Sequence, residues 1–137
     1  MRAFVDTSAL FKKYVQEAGA DEFEALLIRV TDVAVSPLTW IEIHSVLARR
    51  MRERLLTRQE ADRITAEARR DFRYFSRVRW TESLVEKSCG LAGQLSLRTL
   101  DSIQLASGVL SLPDCFVTAD LKLFKEAQKI LKSVILV

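Results

Sequence analysis

Cys115-Phe116-Val117-Thr118-Ala119-Asp120 is the stretch that decides the fold. Its first four residues are β-prone and carry no charge, which describes a short strand buried on both faces. An acid follows at the carboxyl end, and behind it Leu121, Phe124, Ala127 and Leu131 recur at helical spacing. A buried strand feeding a helix in this way is the repeating unit of a parallel sheet covered on both sides.

The same grammar recurs outward along the chain. Phe4-Val5-Asp6 reads as a strand ending in an acid, with Thr7 or Ser8 as the cap of a helix over 9–14. Gly19 breaks that helix, and Asp21 and Glu22 open the next, where the helix dipole favours acids. Val33-Ala34-Val35 is a second strand, stopped by Ser36-Pro37, and Ser as cap with Pro in the first turn predicts a helix over 37–54. Thr57 and Glu60 have capping-box spacing for a helix reaching about 75. Val78-Arg79-Trp80 is a candidate strand, 83–95 a helix, and Thr99 the cap of another helix that Pro113 ends. The run 133–137 closes the chain as a strand. The expectation is one α/β domain over 1–137, a three-layer fold with a central parallel sheet of about four or five strands flanked by helices.

Composition excludes several classes. With 137 residues, 49% of them hydrophobic, 4 Gly, 2 Pro and 2 Cys, the chain is neither disordered nor disulfide-built. Cys89 and Cys115 lack any companion at metal-ligand spacing and are read as small buried residues in a reduced, cytoplasmic protein. No apolar run spans a membrane, and Asp6 interrupts the N-terminal apolar stretch too early for a signal peptide. The net charge of +3 is divided unevenly. Residues 49–79 hold eleven arginines, no lysine and five acids, whereas the remainder is net acidic.

Four acids stand where burial is expected: Asp6 and Asp120 at strand ends, and Glu42 and Asp101 within apolar helical stretches. Each has a plain alternative as a helix cap or a polar helix edge. Together they point to a cation, because carboxylates about 4 Å apart repel by roughly 4 kcal/mol at an effective dielectric of 20. An all-oxygen donor set suits Mg²⁺ or Mn²⁺ and argues against zinc. The single histidine, His44, excludes two-histidine acid–base catalysis and a Ser-His-Asp triad, and no Gly-rich phosphate loop is present. Metal-assisted hydrolysis of a phosphate ester remains.

Four ordered segments carry a family resemblance: Val5-Asp6-Thr7-Ser8-Ala9-Leu10, Ser36-Pro37-Leu38-Thr39-Trp40-Ile41-Glu42-Ile43, Leu97-Arg98-Thr99-Leu100-Asp101-Ser102-Ile103-Gln104-Leu105-Ala106 and Val117-Thr118-Ala119-Asp120. Across essentially the whole chain they resemble the motifs of PIN-domain proteins, and most of all VapC-type toxins of type II toxin–antitoxin systems. The resemblance implies a Mg²⁺- or Mn²⁺-dependent endoribonuclease, usually a homodimer, neutralised by a small VapB-type antitoxin. Asp6, Glu42, Asp101 and Asp120 would then be the catalytic and metal-binding acids, with Ser8 and Thr118 as supporting hydroxyls. Within the arginine-rich segment, Arg49, Arg50, Arg54 and Arg73 are candidate contacts for RNA phosphates or for an acidic antitoxin segment. A PIN-domain nuclease of RNA processing, outside any toxin–antitoxin pair, is the alternative.

Overall fold

The computed structural model describes all of residues 1–137. Five strands, β1 (Arg2–Val5), β2 (Asp32–Val35), β3 (Ser76–Arg77), β4 (Cys115–Thr118) and β5 (Val134–Leu136), form one sheet in the order β3-β2-β1-β4-β5. Every pairing is parallel, with Phe4 opposite Ala34 on one side and Phe116 on the other. All carboxyl ends therefore lie along one edge of the sheet. Seven helices connect the strands: α1 (Thr7–Phe11), α2 (Ala20–Leu27), α3 (Thr39–Arg52), α4 (Arg58–Asp71), α5 (Glu82–Gln94), α6 (Thr99–Leu110) and α7 (Leu121–Ala127).

The three layers follow from the two-residue period of the strands. Ala3, Val5, Cys115, Val117 and Val35 point to one face, where Leu10, Phe23, Ile43, Ile64 and Phe72 from α1–α4 and the turn after α4 cover them. Phe4, Phe116 and Ala34 point to the other, beneath Leu84, Leu91, Leu105 and Leu123 from α5–α7. Helix α6 is buried along the whole run Ser102–Gly108 and forms the floor of that second layer. The rings of Phe4 and Phe116 stack 5.2 Å apart, and a Cβ at Gly108 would stand 2.5 Å from the Phe116 ring. Gly108→Ala is thus expected to cost about 1–3 kcal/mol by overpacking, read as a lowered urea midpoint with unchanged slope.

Several boundaries differ from those read in the sequence. Asp6, not Thr7 or Ser8, caps α1 by accepting the Ala9 amide. The Ser36 hydroxyl accepts the Leu38 amide in a local turn, so α3 starts two residues late, at Thr39. Helix α4 stops at Asp71 because Ser76 must pair with Ala34 and donate to Asp32, and this also moves β3 ahead of the expected Val78. Thr99 is the first residue of α6 rather than its cap, and α7 ends at Ala127, short of Leu131. Cys115 is buried as expected, but Cys89 is exposed on the outer side of α5. No helix is long and apolar enough to cross a membrane.

Candidate active site

The carboxyl edge of the sheet opens into a cleft of about 660 Å³ lined by all four singled-out acids, Asp6, Glu42, Asp101 and Asp120. Four separate elements deliver them. Asp6 leaves the end of β1, Glu42 lies in the first turn of α3, Asp101 in the first turn of α6, and Asp120 follows β4.

Asp6 is the most enclosed, at 5% exposure. One carboxylate oxygen accepts the Ala9 amide at 3.1 Å, and the Ser8 hydroxyl donates to the carboxylate at 2.8 Å. Burial nonetheless pushes its pKa up from 3.8 to about 7, with a smaller upward push from the charge of Glu42, against the hydrogen bonds of Ala9, Ser8 and Thr118. Asp101 is raised as well, first by burial and then by the charge of Asp120, while Arg98 and Lys122 pull it down. The acids thus form two electrostatically coupled pairs, Asp6 with Glu42 and Asp101 with Asp120. No three His, Cys, Asp or Glu side chains close into a ready-made ion cage.

Ser8 is a junction: its hydroxyl donates to Asp6, accepts the Ala119 amide at 2.9 Å and meets the Thr118 hydroxyl at 3.3 Å. Thr118 accepts the Asp120 amide. Together they bind the strand end carrying Asp6 to the one carrying Asp120. Asp120 uses a single oxygen, Oδ1, to accept the Lys122 and Leu123 amides, so it caps α7 and keeps Oδ2 free.

Two contributors had no signal in the sequence beyond lying inside the quoted motifs. Gln104 on α6, 2% exposed, donates through Nε2 to the Thr7 hydroxyl at 3.0 Å and to Glu42 Oε1, and Thr7 donates to the same Glu42 oxygen at 2.8 Å. Glu42 is thereby held by one oxygen, with Oε2 left for the cleft. The buried Gln104 Oε1 has no partner, so the amide is committed to this orientation by its donors alone. Gln104→Leu is expected to reduce activity about 10–100-fold by releasing Glu42. Stability should change by less than about 1 kcal/mol, since an unpaired buried acceptor leaves with the amide; kinetics and urea melts on the same samples separate the two.

Arg49, Arg98 and Lys122 supply positive charge to the cleft lining. The other three arginine candidates stand elsewhere. Arg50 pairs with Glu17 at 3.0 Å and lies over the Phe11 ring. Arg54 takes a left-handed conformation (φ 57°) just past the end of α3. Arg73 lies on a separate groove described below.

The cleft fits a hard divalent cation. Its metal-binding side chains are all oxygen donors, with neither His nor Cys in the lining, and several carboxylate oxygens are free. Mg²⁺ usually takes one or two carboxylates directly and keeps its waters, which accommodates paired acids without a closed cage.

A model of the PIN domain matches residues 3–130. The chain belongs to the PIN-domain family. Among solved structures, this PIN domain is similar to a toxin–antitoxin complex from Klebsiella pneumoniae, at 21% identity and a TM-score of 0.68 over 97% of this chain and 95% of that one. VapBC2 from Rickettsia felis, bound to a DNA fragment from its promoter, aligns at 10% identity and a TM-score of 0.71, covering 100% and 99%. FitAcB from Neisseria gonorrhoeae gives 14%, 0.71, 97% and 96%. At these identities the likeness is one of fold. Comparison with curated protein sequences gave no match.

Proposed function

We propose that this PIN domain is the toxin of a type II toxin–antitoxin pair, a Mg²⁺- or Mn²⁺-dependent endoribonuclease inhibited by a small VapB-type antitoxin. The observation that carries the nuclease reading is the convergence of four acids from four elements on one cleft edged by Arg49, Arg98 and Lys122. Carboxylates alone repel a phosphodiester, whereas carboxylates holding a cation beside three basic groups attract one. The toxin assignment draws on the kind of complexes to which the fold is similar.

In this reading Asp6, Glu42, Asp101 and Asp120 hold the metal, directly or through its waters. When bound, the ion lowers the pKa of an attacking water and stabilises charge developing on the phosphate. Ser8 and Thr118 keep the Asp6 and Asp120 strand ends at fixed separation, and Gln104 with Thr7 aims Glu42. Arg49, Arg98 and Lys122 orient the phosphate of the RNA.

Chelation with EDTA should abolish cleavage, and Mg²⁺ or Mn²⁺ should restore it. Independently of activity, Mg²⁺ at about 100 times its Kd should stabilise the fold by roughly 2.7 kcal/mol, visible as a higher melting temperature. Cleavage that persists in excess EDTA would count decisively against the mechanism. Sequencing RNA ends after brief expression, with and without Asp101→Asn, identifies the target. A neighbouring reading frame whose small product binds and silences the chain separates the toxin from an RNA-processing nuclease. Size-exclusion chromatography with light scattering tests the homodimer.

A further inference from the structure

The arginines of the α3–α4 arm fall into two sets. Arg50, Arg58 and Arg63 are ion-paired, with Glu17, Asp62 and Glu67. The stretch 69–79 is different: it holds five arginines and a single acid, Asp71. That acid is taken up by Lys13 at 2.6 Å and by the Tyr14 hydroxyl at 2.9 Å. None of Arg69, Arg70, Arg73, Arg77 and Arg79 has an ion-pair partner, so their charge is left for something outside the chain.

These guanidinium groups edge a groove with an aromatic floor. Three adjoining hollows share residues: one is lined by Arg69, Arg70 and Arg73 together with Asp62, whose charge is taken by Arg58, the next by Trp40, Arg69, Phe72, Arg73 and Arg77, and the third by Trp40, Phe72, Arg77 and Arg79 up to Ser36 and Pro37. The Arg69 guanidinium sits over the Trp40 ring at 5.2 Å, and the Trp40 and Phe72 rings meet edge to face at 5.0 Å. The far end, at Ser36 and Pro37, follows β2. It therefore opens on the same carboxyl edge of the sheet as the acidic cleft, and α3 stands between them with Trp40 on one side and Glu42 on the other.

We infer that this groove is a second binding surface for the substrate, gripping single-stranded RNA beyond the cleaved phosphodiester. The inference rests on RNA being what the cleft cuts. Guanidinium groups along a groove track a phosphate backbone, and the part-exposed Trp40 ring, backed by the buried Phe72 and shared by two of the hollows, offers stacking to an unpaired base. A protein partner of acidic character would satisfy the charge but has less use for the aromatic floor. Duplex RNA would satisfy the charge but hides its bases.

The test uses the Asp101→Asn protein, so that the RNA stays uncut during the measurement, and fluorescein-labelled single-stranded RNA read by anisotropy over a range of salt. Arg73→Gln with Arg77→Gln should raise Kd about tenfold and reduce the salt slope by roughly 1.4, at about 0.7 per lost phosphate contact. Arg73→Lys with Arg77→Lys should recover most of the slope and guards against misfolding as the cause. Unlabelled single-stranded RNA should compete at lower concentration than duplex RNA or poly-glutamate. An unchanged Kd and slope in the Gln pair, stronger competition by poly-glutamate, or conversion of a dimer to a monomer by the Gln pair would each overturn the inference. A separate assay of RNA cleavage by the unmodified chain keeps the two readings apart. Cleavage with an unchanged Gln pair leaves the nuclease and removes the groove. Binding through the groove with no cleavage removes the nuclease.

Discussion

If the chain is the proposed nuclease, Asp101→Asn should lower the rate of RNA cleavage about a thousandfold, or roughly 4 kcal/mol of activation free energy, and leave the fold at least as stable as before. Asp101 is half-buried in the first turn of α6, beside Asp120, and its carboxylate accepts no hydrogen bond from the rest of the chain. Burial and the charge of Asp120 both raise its pKa, so its ionised form is a cost to the folded state without a metal. A group kept in that condition does nothing for packing that asparagine cannot do. Its charge matters only toward something that enters the cleft, and stabilisation of charge by a cation is worth several kcal/mol. Measurement of kcat beside a urea melt checks both halves. Activity within tenfold of the unmodified protein would sink the assignment, whatever the melt showed.

Asp6→Asn has the largest expected effect on stability, and its sign depends on pH. In the metal-free protein the folded carboxyl titrates near 7 because it is buried, against 3.8 when free. Between those values the folded chain retains a proton that the unfolded chain has released. The stabilisation is fully present below about pH 4 and is lost as pH rises through 7. Asparagine stays neutral throughout and caps a helix as well as aspartate does. In EDTA at pH 8 the variant should therefore exceed the unmodified protein by roughly 4 kcal/mol, at about 1.4 kcal/mol per pKa unit, with the gap closing towards pH 4. Mg²⁺ should restore the unmodified protein above pH 7 and do little for the variant. Melting temperatures across pH 4–8, with and without Mg²⁺, provide the comparison. A gap that does not vary with pH would show that burial of the charge is not its cause.

The architecture was legible because strands buried on both faces have no polar alternation to obscure them. Cys115-Phe116-Val117-Thr118 and Val33-Ala34-Val35 announce a parallel sheet, and acids immediately beyond strands point to its carboxyl edge. Boundaries were less legible where one residue could serve two local bonds. Ser36 is a sound cap by composition, yet its hydroxyl closes a turn instead. The end of α4 could not be read from its own residues, because it is set by where β3 must pair with β2. Gln104 was invisible for a related reason. In the sequence it is one polar residue in a buried helix, and only the crossing of α6 over α1 and α3 brings its amide to Thr7 and Glu42. Arginine pairing was equally hidden, since the acid nearest to Arg70 along the chain is bound by residues 58 and 57 positions earlier.

The position of β1 in the sheet has a consequence for the moment of synthesis. Strand β1 lies between β2 and β4, and its second neighbour is more than a hundred residues later in the chain. At about 5–20 residues per second, Asp6 leaves the ribosome some 6 to 23 seconds before Asp120. Throughout that interval Asp6 has no Val117 to pair beside and no Ala119 to lock Ser8 in place. The four acids thus share no cleft during synthesis until β4 and Ala119 have emerged to meet β1.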